Sequence, residues 1–458
     1  MPNILSMRRG GAMVAPMVAA VAILGCIALA VTQHYLLFLF AVLFTLLVMG
    51  VPIAISLAGS CLLYVLLTGS VPDVVVVHRM INGIDSFPLL AIPFFILAGN
   101  LMNASKLTDR LMALARLLVG HLRGGMGHVN VVSSVFFAGV NGSAVADTSA
   151  LGSLLVPAMR KEGYSTAFAA GLTAGSSLIG PIIPPSIFMI LYASLTNTSV
   201  GDLFLAGVIP GLLLGVAFMT MNAVHAWRIR LPKRGGWPGK RELAVTALGA
   251  LPALIAPFII VAGIVMGVVT PTESGALTAL YVALYGVVAG NLTLSGLWQA
   301  TVDTTRLTAA IFVIMAASSI VSWLLSYAQV PSQFVELLTP YIDSPVIILL
   351  LLSLITFVTG MFMEEVSALM LLTPIFAPIA MLAGIDMVHL GIIITLNITI
   401  ALITPPMGAC VYVAAAVSRL EITALFRTIW PFVITALVVL MALILFPSLA
   451  LWLPTTLG

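Results

Sequence analysis

Charge is what this chain has least of. Of its 458 residues only 7% are Asp, Glu, Lys or Arg, where a soluble domain carries roughly a quarter. The formal net charge of +3 is far too small for a nucleic-acid partner. Cysteine is almost absent: Cys26, Cys61 and Cys410 form no pair at metal-ligand or redox spacing and read as small apolar residues. The six histidines show no ligand spacing either. A P-loop, a zinc-protease motif and a nucleophile elbow are all missing, which argues against an ATP-driven pump or a membrane hydrolase.

What is present is apolar sequence. The hydrophobic fraction is 61% and the mean hydropathy +1.22, so the chain is expected to be an all-α polytopic membrane protein. Runs near the ~20 residues that cross a bilayer fall at 13–32, 35–68, 86–103, 166–195, 203–227, 245–269, 274–290, 308–328, 345–363, 366–400 and 428–453. These suggest about eleven or more crossings. The first 34 residues form an extra hydrophobic segment. Arg8 and Arg9 before a run ending "ALA" also resemble a signal peptide, but a retained helix is the expectation.

The two halves repeat one another. Pro52 in "GVPIA" matches Pro271 in "VTPTE", "DTSAL" from Asp147 matches "EVSAL" from Glu365, and Pro184-Pro185 match Pro405-Pro406. "DLFLAGVIPG" from Asp202 then matches "ALFRTIWPFV" from Ala424. Such internal symmetry marks repeat architectures. The chain thus divides into a first repeat over 35–227 with an inner hairpin near 130–160, a basic loop over 228–244, and a second repeat over 245–458 with an outer hairpin near 345–383.

Sidedness follows from Lys and Arg, which favour cytoplasmic loops. Six of the eighteen lie between Arg228 and Arg241, whereas none lies from Leu307 to Ser418. The central loop is therefore expected in the cytoplasm and the C-terminus in the periplasm. The first hairpin, around "NGSAVADTS", is approached and left from the cytoplasm; the second, around "TGMFMEEVSAL", is approached from outside. Two repeats of opposite sidedness are an inverted repeat, a recurring plan of secondary transporters.

Proline breaks a helix and leaves carbonyls without donors, which hydrocarbon tolerates only where something fills or hydrates them. A single proline would serve as a packing kink. Two Pro-Pro pairs at matching positions, each beside a Gly/Ser-rich hairpin, instead suggest oxygen ligands for a hard cation such as sodium. Asp147, Glu364 and Glu365 are costly inside a membrane. They either tune ion or proton binding or cap the second helix of a hairpin. Free amides at those helix starts would favour an anionic carboxylate. Ser176, Ser177 and Asn397 either line that cavity or bond to their own backbone. The stretch 104–125 and its counterpart "VPSQFVELLTPYIDSP" read as arm helices, the former along the cytoplasmic interface.

Taken together, "NGSAVADTSALGSLLVPAMRKEGY", "GPIIPPS", "TPTE" and "GMFMEEVSALMLLTPIFAP" followed by "ITPPMG" resemble the large membrane subunit of tripartite ATP-independent periplasmic (TRAP) transporters, the DctM-like permeases. The resemblance runs from about Leu36 to the C-terminus. It implies an elevator-type, sodium-coupled importer of organic acids in the bacterial inner membrane, with no organic cofactor. The implied partners are a small four-helix membrane subunit and a periplasmic substrate-binding protein. A self-sufficient sodium-coupled dicarboxylate carrier, and a channel or scaffold, are the competing readings. The resemblance further implies a first sodium site at Asn141, Gly142, Ser143, Gly180, Ile183 and Pro185. A second would lie at Gly360, Ala401, Thr404 and Met407. Two positions depart from the pattern: Asn141 stands where serine is commoner, and Ala401 where glycine is usual.

Overall fold

The computed structural model describes residues 35–457 apart from 70, 232, 234, 235, 237 and 238; the N-terminal segment 1–34 lies outside the described residues. Among those described there are helices and no strands beyond one isolated bridge, Arg123 to Lys233. The all-α expectation therefore holds. In chain order the α-helices are α1 Tyr35–Val48, α2 Ile53–Thr68, α3 Asp73–Asn82, α4 Ala91–Ala104, α5 Leu107–Val119, α6 Gly125–Asn141 and α7 Ala144–Glu162. There follow α8 Thr166–Ser176, α9 Ile187–Thr196, α10 Val200–Arg228, α11 Lys240–Val265, α12 Pro271–Val288, α13 Leu294–Tyr327 and α14 Val330–Leu338. The chain closes with α15 Pro345–Gly360, α16 Glu365–Leu382, α17 Met387–Ala401, α18 Ala409–Ser418, α19 Ile422–Thr428, α20 Trp430–Leu445 and α21 Ser448–Leu457.

Helix limits follow local chemistry. Ser143, Ser165, Ser186 and Ser199 each accept a backbone amide at the start of α7, α8, α9 and α10, as N-cap hydroxyls do. Thr270 and Glu273 make a reciprocal capping box at the start of α12, satisfying two end amides at once. Gly163, with φ +108, ends α7 in the left-handed region that glycine enters without steric cost.

Counting crossings by apolar run and by helix gives different answers. Among the described residues, five helices are by themselves long and apolar enough to cross a bilayer: Phe87–Ala104 (a short 3-10 turn joined to α4), α10, α11, α13 and α16. A sixth span is the bent pair α19–α20, with a 44° break. Eight shorter apolar helices of 10–17 residues accompany them. The reason is Gly/Pro punctuation: the run 166–195 becomes α8, a 3-10 turn Ser177–Ile179, a break and α9, while 366–400 is shared between α16 and α17.

The outward surface is apolar. Leu248, Leu251, Ile255 and Phe258 of α11 are all exposed, and this contiguous face has no place in water. Lipid is the solvent it suits.

The described residues divide into two compact units. One holds residues 35–85 with Ala310–Glu336, that is α1 to α3, the C-terminal half of α13 and most of α14. Within it α1 packs on α2, and the Arg79 guanidinium lies 5.1 Å from the centre of the Trp323 ring. The other unit holds Ser86–Ala309 with Leu337–Gly458. One of its cores joins α4, α5, α11 and α12 through Leu101, Met102, Leu107, Leu111, Ala253 and Val282. A second core sets the arm α5 against α6 and α7 through Met112, Ala115, Val129, Phe137 and Leu151. Arg110 of the arm donates to the Gly249 carbonyl at 3.2 Å and to the Tyr285 hydroxyl at 2.6 Å.

The same order of parts occurs twice in this larger unit. A hairpin (α6–α7), a broken helix (α8–α9) and a long helix (α10) recur as α15–α16, α17–α18 and α19–α20. Packing also crosses between them: besides the broken helix of its own repeat, α7 lies on α18, and α16 lies on α9. Each hairpin's second limb thus rests on the broken helices of both repeats.

Candidate functional site: hairpin tips on broken helices

At the end of α6, Gly142 (φ +57, ψ 15) turns the chain. Ser143 is extended and caps α7, its Oγ accepting from the Ala146 amide at 3.4 Å. The other partner is the break after α8. There Gly180 is followed by Pro181, the Pro184–Pro185 peptide is cis, and Ser186 restarts the helix by accepting the Met189 amide.

Two glycines measure how closely these pieces approach. A Cβ on Gly142 would fall 2.8 Å from the Pro185 carbonyl oxygen. One on Gly180 would fall 3.0 Å from Asp147 Oδ2 and 3.6 Å from the Ser143 carbonyl carbon. The structure therefore brings Gly142, Ser143, Gly180 and Pro185 together with the fully buried Asp147. Ile183 turns its side chain toward Gly211 of α10, which leaves only its main chain for the break. Asn141 is the last residue of α6; its side chain lies outside the described residues.

In the second repeat, α15 ends at Gly360, where an added Cβ would fall 2.8 Å from the Ala401 Cβ and 3.9 Å from the Ile398 Cα. Beyond Ala401 the chain makes tight turns, with the Thr404 amide donating to the Ala401 carbonyl at 3.0 Å. The Pro405–Pro406 peptide is cis like its counterpart, and Gly408, at φ +38, leads into α18. Thr404 is buried and its hydroxyl donates to the Ile400 carbonyl at 2.8 Å, keeping oxygen lone pairs available. Met407 is 47% exposed and is not brought against Gly360 by any contact described.

The acidic residues divide their roles. Glu364 caps α16, accepting the Ser367 amide at 3.0 Å and its hydroxyl at 3.2 Å. Capping in the first hairpin falls to Ser143, so Asp147 is left for the Gly180 break. Asp147 and Glu365 match in sequence, yet Asp147 is the fourth residue of α7 and Glu365 the first of α16. The loop of the second hairpin is two residues longer, and the two carboxylates sit three residues apart relative to their helix starts. Cys410, fully buried, has Thr148 within hydrogen-bonding reach and both carboxylates in its surroundings.

Ser176, Ser177 and Asn397 are all fully buried. Ser177 donates to the Thr173 carbonyl at 2.8 Å. Ser176 accepts from Ser134 at 2.9 Å and lies 3.4 Å from Asn130 Oδ1, while the Asn130 amide reaches Thr173 Oγ1 at 2.5 Å. The Asn397 amide donates to the Ser353 carbonyl at 2.8 Å. Sequence reading passed over Asn130, Ser134 and Ser353. The signal was available: Ser134 and Ser353 stand 219 apart, and Ser176 and Asn397 221 apart, offsets shared with the proline landmarks.

In the loop after α7, burial and then the charge of Glu162 hold the Tyr164 hydroxyl well above its ordinary value of 10.0. It stays protonated beside the Gly124 carbonyl (2.9 Å) and Asn222 Oδ1 (2.8 Å).

Backbone carbonyls, a serine, a threonine and a carboxylate are oxygen donors suited to a hard cation. Hairpin tips resting on helix breaks, in a chain with a lipid-type surface, define a membrane transporter of the secondary kind. The comparisons with known proteins agree. Residues 40–449 match the family described as Tripartite ATP-independent periplasmic transporter, DctM component, and the chain belongs to that family: it is a transport permease, not an enzyme. It is 38% identical over 409 residues to the sialic acid TRAP transporter large permease protein SiaM of Vibrio cholerae, covering 88% of this chain and 95% of that protein. It is 36% identical to the 2,3-diketo-L-gulonate TRAP transporter large permease protein YiaN of Escherichia coli, covering 87% and 94%. With the sialic acid TRAP transporter permease protein SiaT of Haemophilus influenzae it shares 35% identity over 89% of this chain but 66% of that longer protein. Among solved structures, Neisseria gonorrhoeae MtrF, of a class of antimetabolite efflux pumps, superposes with a TM-score of 0.57 at 15% identity over 83% of this chain and 84% of that one. At that identity it shares the fold alone.

Proposed function

We propose that this permease imports an organic acid anion together with sodium, working with a small four-helix membrane subunit and a periplasmic binding protein in the bacterial inner membrane. The observation that carries the reading is the contact of each hairpin with a break, Gly142 on Pro185 and Gly360 on Ala401. Oxygen-bearing backbone is gathered at both, and the first has a buried carboxylate beside it. The coupling ions are cargo: at least two would bind, at Asn141, Gly142, Ser143, Gly180, Ile183 and Pro185 and at Gly360, Ala401, Thr404 and Met407. The substrate would sit between the tips.

Relatives support the class of substrate and the partners. SiaM and YiaN carry in their names sialic acid and 2,3-diketo-L-gulonate, both carboxylates. SiaT has about a third of its length beyond the part this chain matches, room for a second permease component. Packing across the repeats, α7 on α18 and α16 on α9, supports both hairpins moving as one body. Elevator movement of that body would carry bound ions and substrate across, with the hairpins re-entrant from opposite sides. The basic central loop would be cytoplasmic and the C-terminus periplasmic. Each net positive charge moved inward gains about 2.3 kcal/mol per 100 mV.

The test is uptake of labelled organic acids into proteoliposomes holding this chain and its small-subunit partner. Uptake requiring both an inward sodium gradient and the binding protein is expected. Sodium-driven uptake without a binding protein would sink the tripartite part and leave a self-sufficient carrier.

A further inference from the structure

We infer that Asn397 is a positioning residue for the second cation site, acting through the Ser353 carbonyl and not by touching ion or substrate. This rests on the sodium reading above. Asn397 is fully buried, and its Nδ2 donates to the Ser353 main-chain oxygen at 2.8 Å. That bond ties the first limb of the outer hairpin, α15, to the broken helix α17. Seven residues further along α15 is Gly360, and four further along α17 is Ala401, roughly 10 Å and 6 Å along their axes. The tip contact between Gly360 and Ala401 and the Asn397 bridge are thus two points holding one pair of helices. With the bridge in place α15 cannot slide or roll on α17, and the carbonyls at the tip keep their spacing.

The first repeat has the matching bridge, Ser134 to Ser176, but embeds it in further bonds through Asn130 and Thr173. In the outer repeat the bridge is a single bond: Asn397 Oδ1 and Ser353 Oγ have no hydrogen-bond partner among the described residues. One substitution therefore suffices to undo the outer clasp, whereas the inner one is redundant. Because the acceptor is main chain, the Ser353 hydroxyl is dispensable to it.

The experiment measures the sodium dependence of substrate uptake in proteoliposomes for wild type, Asn397→Leu, Asn397→Gln, Ser353→Ala and Ser176→Ala. Thermal midpoints in sodium-free buffer are recorded for each. Asn397→Leu, close to the same size, is expected to raise the half-saturating sodium concentration about fivefold or more, the scale of one lost buried hydrogen bond. Its substrate KM at saturating sodium stays within twofold. Asn397→Gln restores part of the sodium affinity, and Ser353→Ala and Ser176→Ala stay within twofold of wild type. Should the leucine variant fail to fold, the glutamine variant carries the test, since a longer amide gives an intermediate shift in sodium dependence. Unchanged sodium dependence in every folded Asn397 variant would overturn the inference while leaving sodium coupling intact. So would a substrate KM shift at saturating sodium, or an equal defect in Ser353→Ala, since either assigns the effect to direct lining of the cavity. Wild-type uptake indifferent to sodium would overturn the coupling and this inference together.

Discussion

Gly142 and Gly69 have nearly the same backbone, φ 57 and ψ 15 against φ 55 and ψ 16, but different surroundings. A Cβ at Gly69 would meet nothing within 4 Å, whereas at Gly142 it would lie 2.8 Å from the Pro185 carbonyl oxygen. Alanine at either position carries the same left-handed strain, about 1–2 kcal/mol. Only at Gly142 must something else move: to reach an ordinary 3.4 Å contact the tip and the break must part by about 0.6 Å. Oxygen ligands hold a cation of calcium's size within a range of only about 0.3 Å, so that parting removes a ligand. Gly142→Ala is expected to raise the half-saturating sodium concentration at least tenfold, equivalent to about 1.4 kcal/mol. Gly69→Ala should lower the thermal midpoint by a similar amount while leaving sodium dependence within twofold. The assay is sodium-driven uptake in proteoliposomes paired with thermal unfolding in detergent. Equal sodium dependence in the two variants would refute the reasoning, because the contact with Pro185 would then have no consequence beyond strain.

Other expectations follow from the same geometry. Gly360→Ala places a methyl 2.8 Å from that of Ala401 and should depress uptake; adding Ala401→Gly should restore much of it, and failure of that rescue would count against the contact. Glu364→Ala removes the α16 cap on Ser367 and should cost about 0.5–2 kcal/mol of stability, read as a lower thermal midpoint. Tyr164→Phe takes the donor from Asn222 Oδ1, while the Gly124 carbonyl keeps the Asn222 amide, and should cost about 1–3 kcal/mol. Because the folded protein holds Tyr164 protonated above its ordinary 10.0, its contribution is complete below pH 10 and fades as pH rises beyond it. The gap in thermal midpoint between wild type and Tyr164→Phe should therefore narrow between pH 8 and pH 11.

Much of the fold is legible in the sequence because the signals are local. Gly142-Ser143 between apolar stretches marks a hairpin tip, and each Pro-Pro pair marks a helix break, although single prolines such as Pro157 and Pro210 stay inside continuous helices. The number of full crossings was less legible. Hydropathy counts apolar residues but not the interruptions that turn one run into two short helices, as at Gly180 and at the α16–α17 junction. Capping separated Glu364 from its neighbours only in three dimensions: two adjacent glutamates read alike in sequence, and one bond to Ser367 distinguishes them. The cross-repeat packing of α7 on α18 was beyond the sequence, because partners more than 200 residues apart leave no periodic trace. The clasp at Asn397 lies between these cases. Its repeat spacing is written in the chain, but that its partner is a carbonyl and not the Ser353 hydroxyl is a matter of geometry.

The central claim is that each hairpin tip and its helix break form a sodium site. Equilibrium binding of radiolabelled sodium to the purified permease in detergent tests it most directly, with wild type compared with Gly142→Ala and Gly360→Ala. The account predicts at least two sodium ions per wild-type chain and one fewer in each glycine variant. No saturable binding, or a stoichiometry that neither substitution changes, would contradict it.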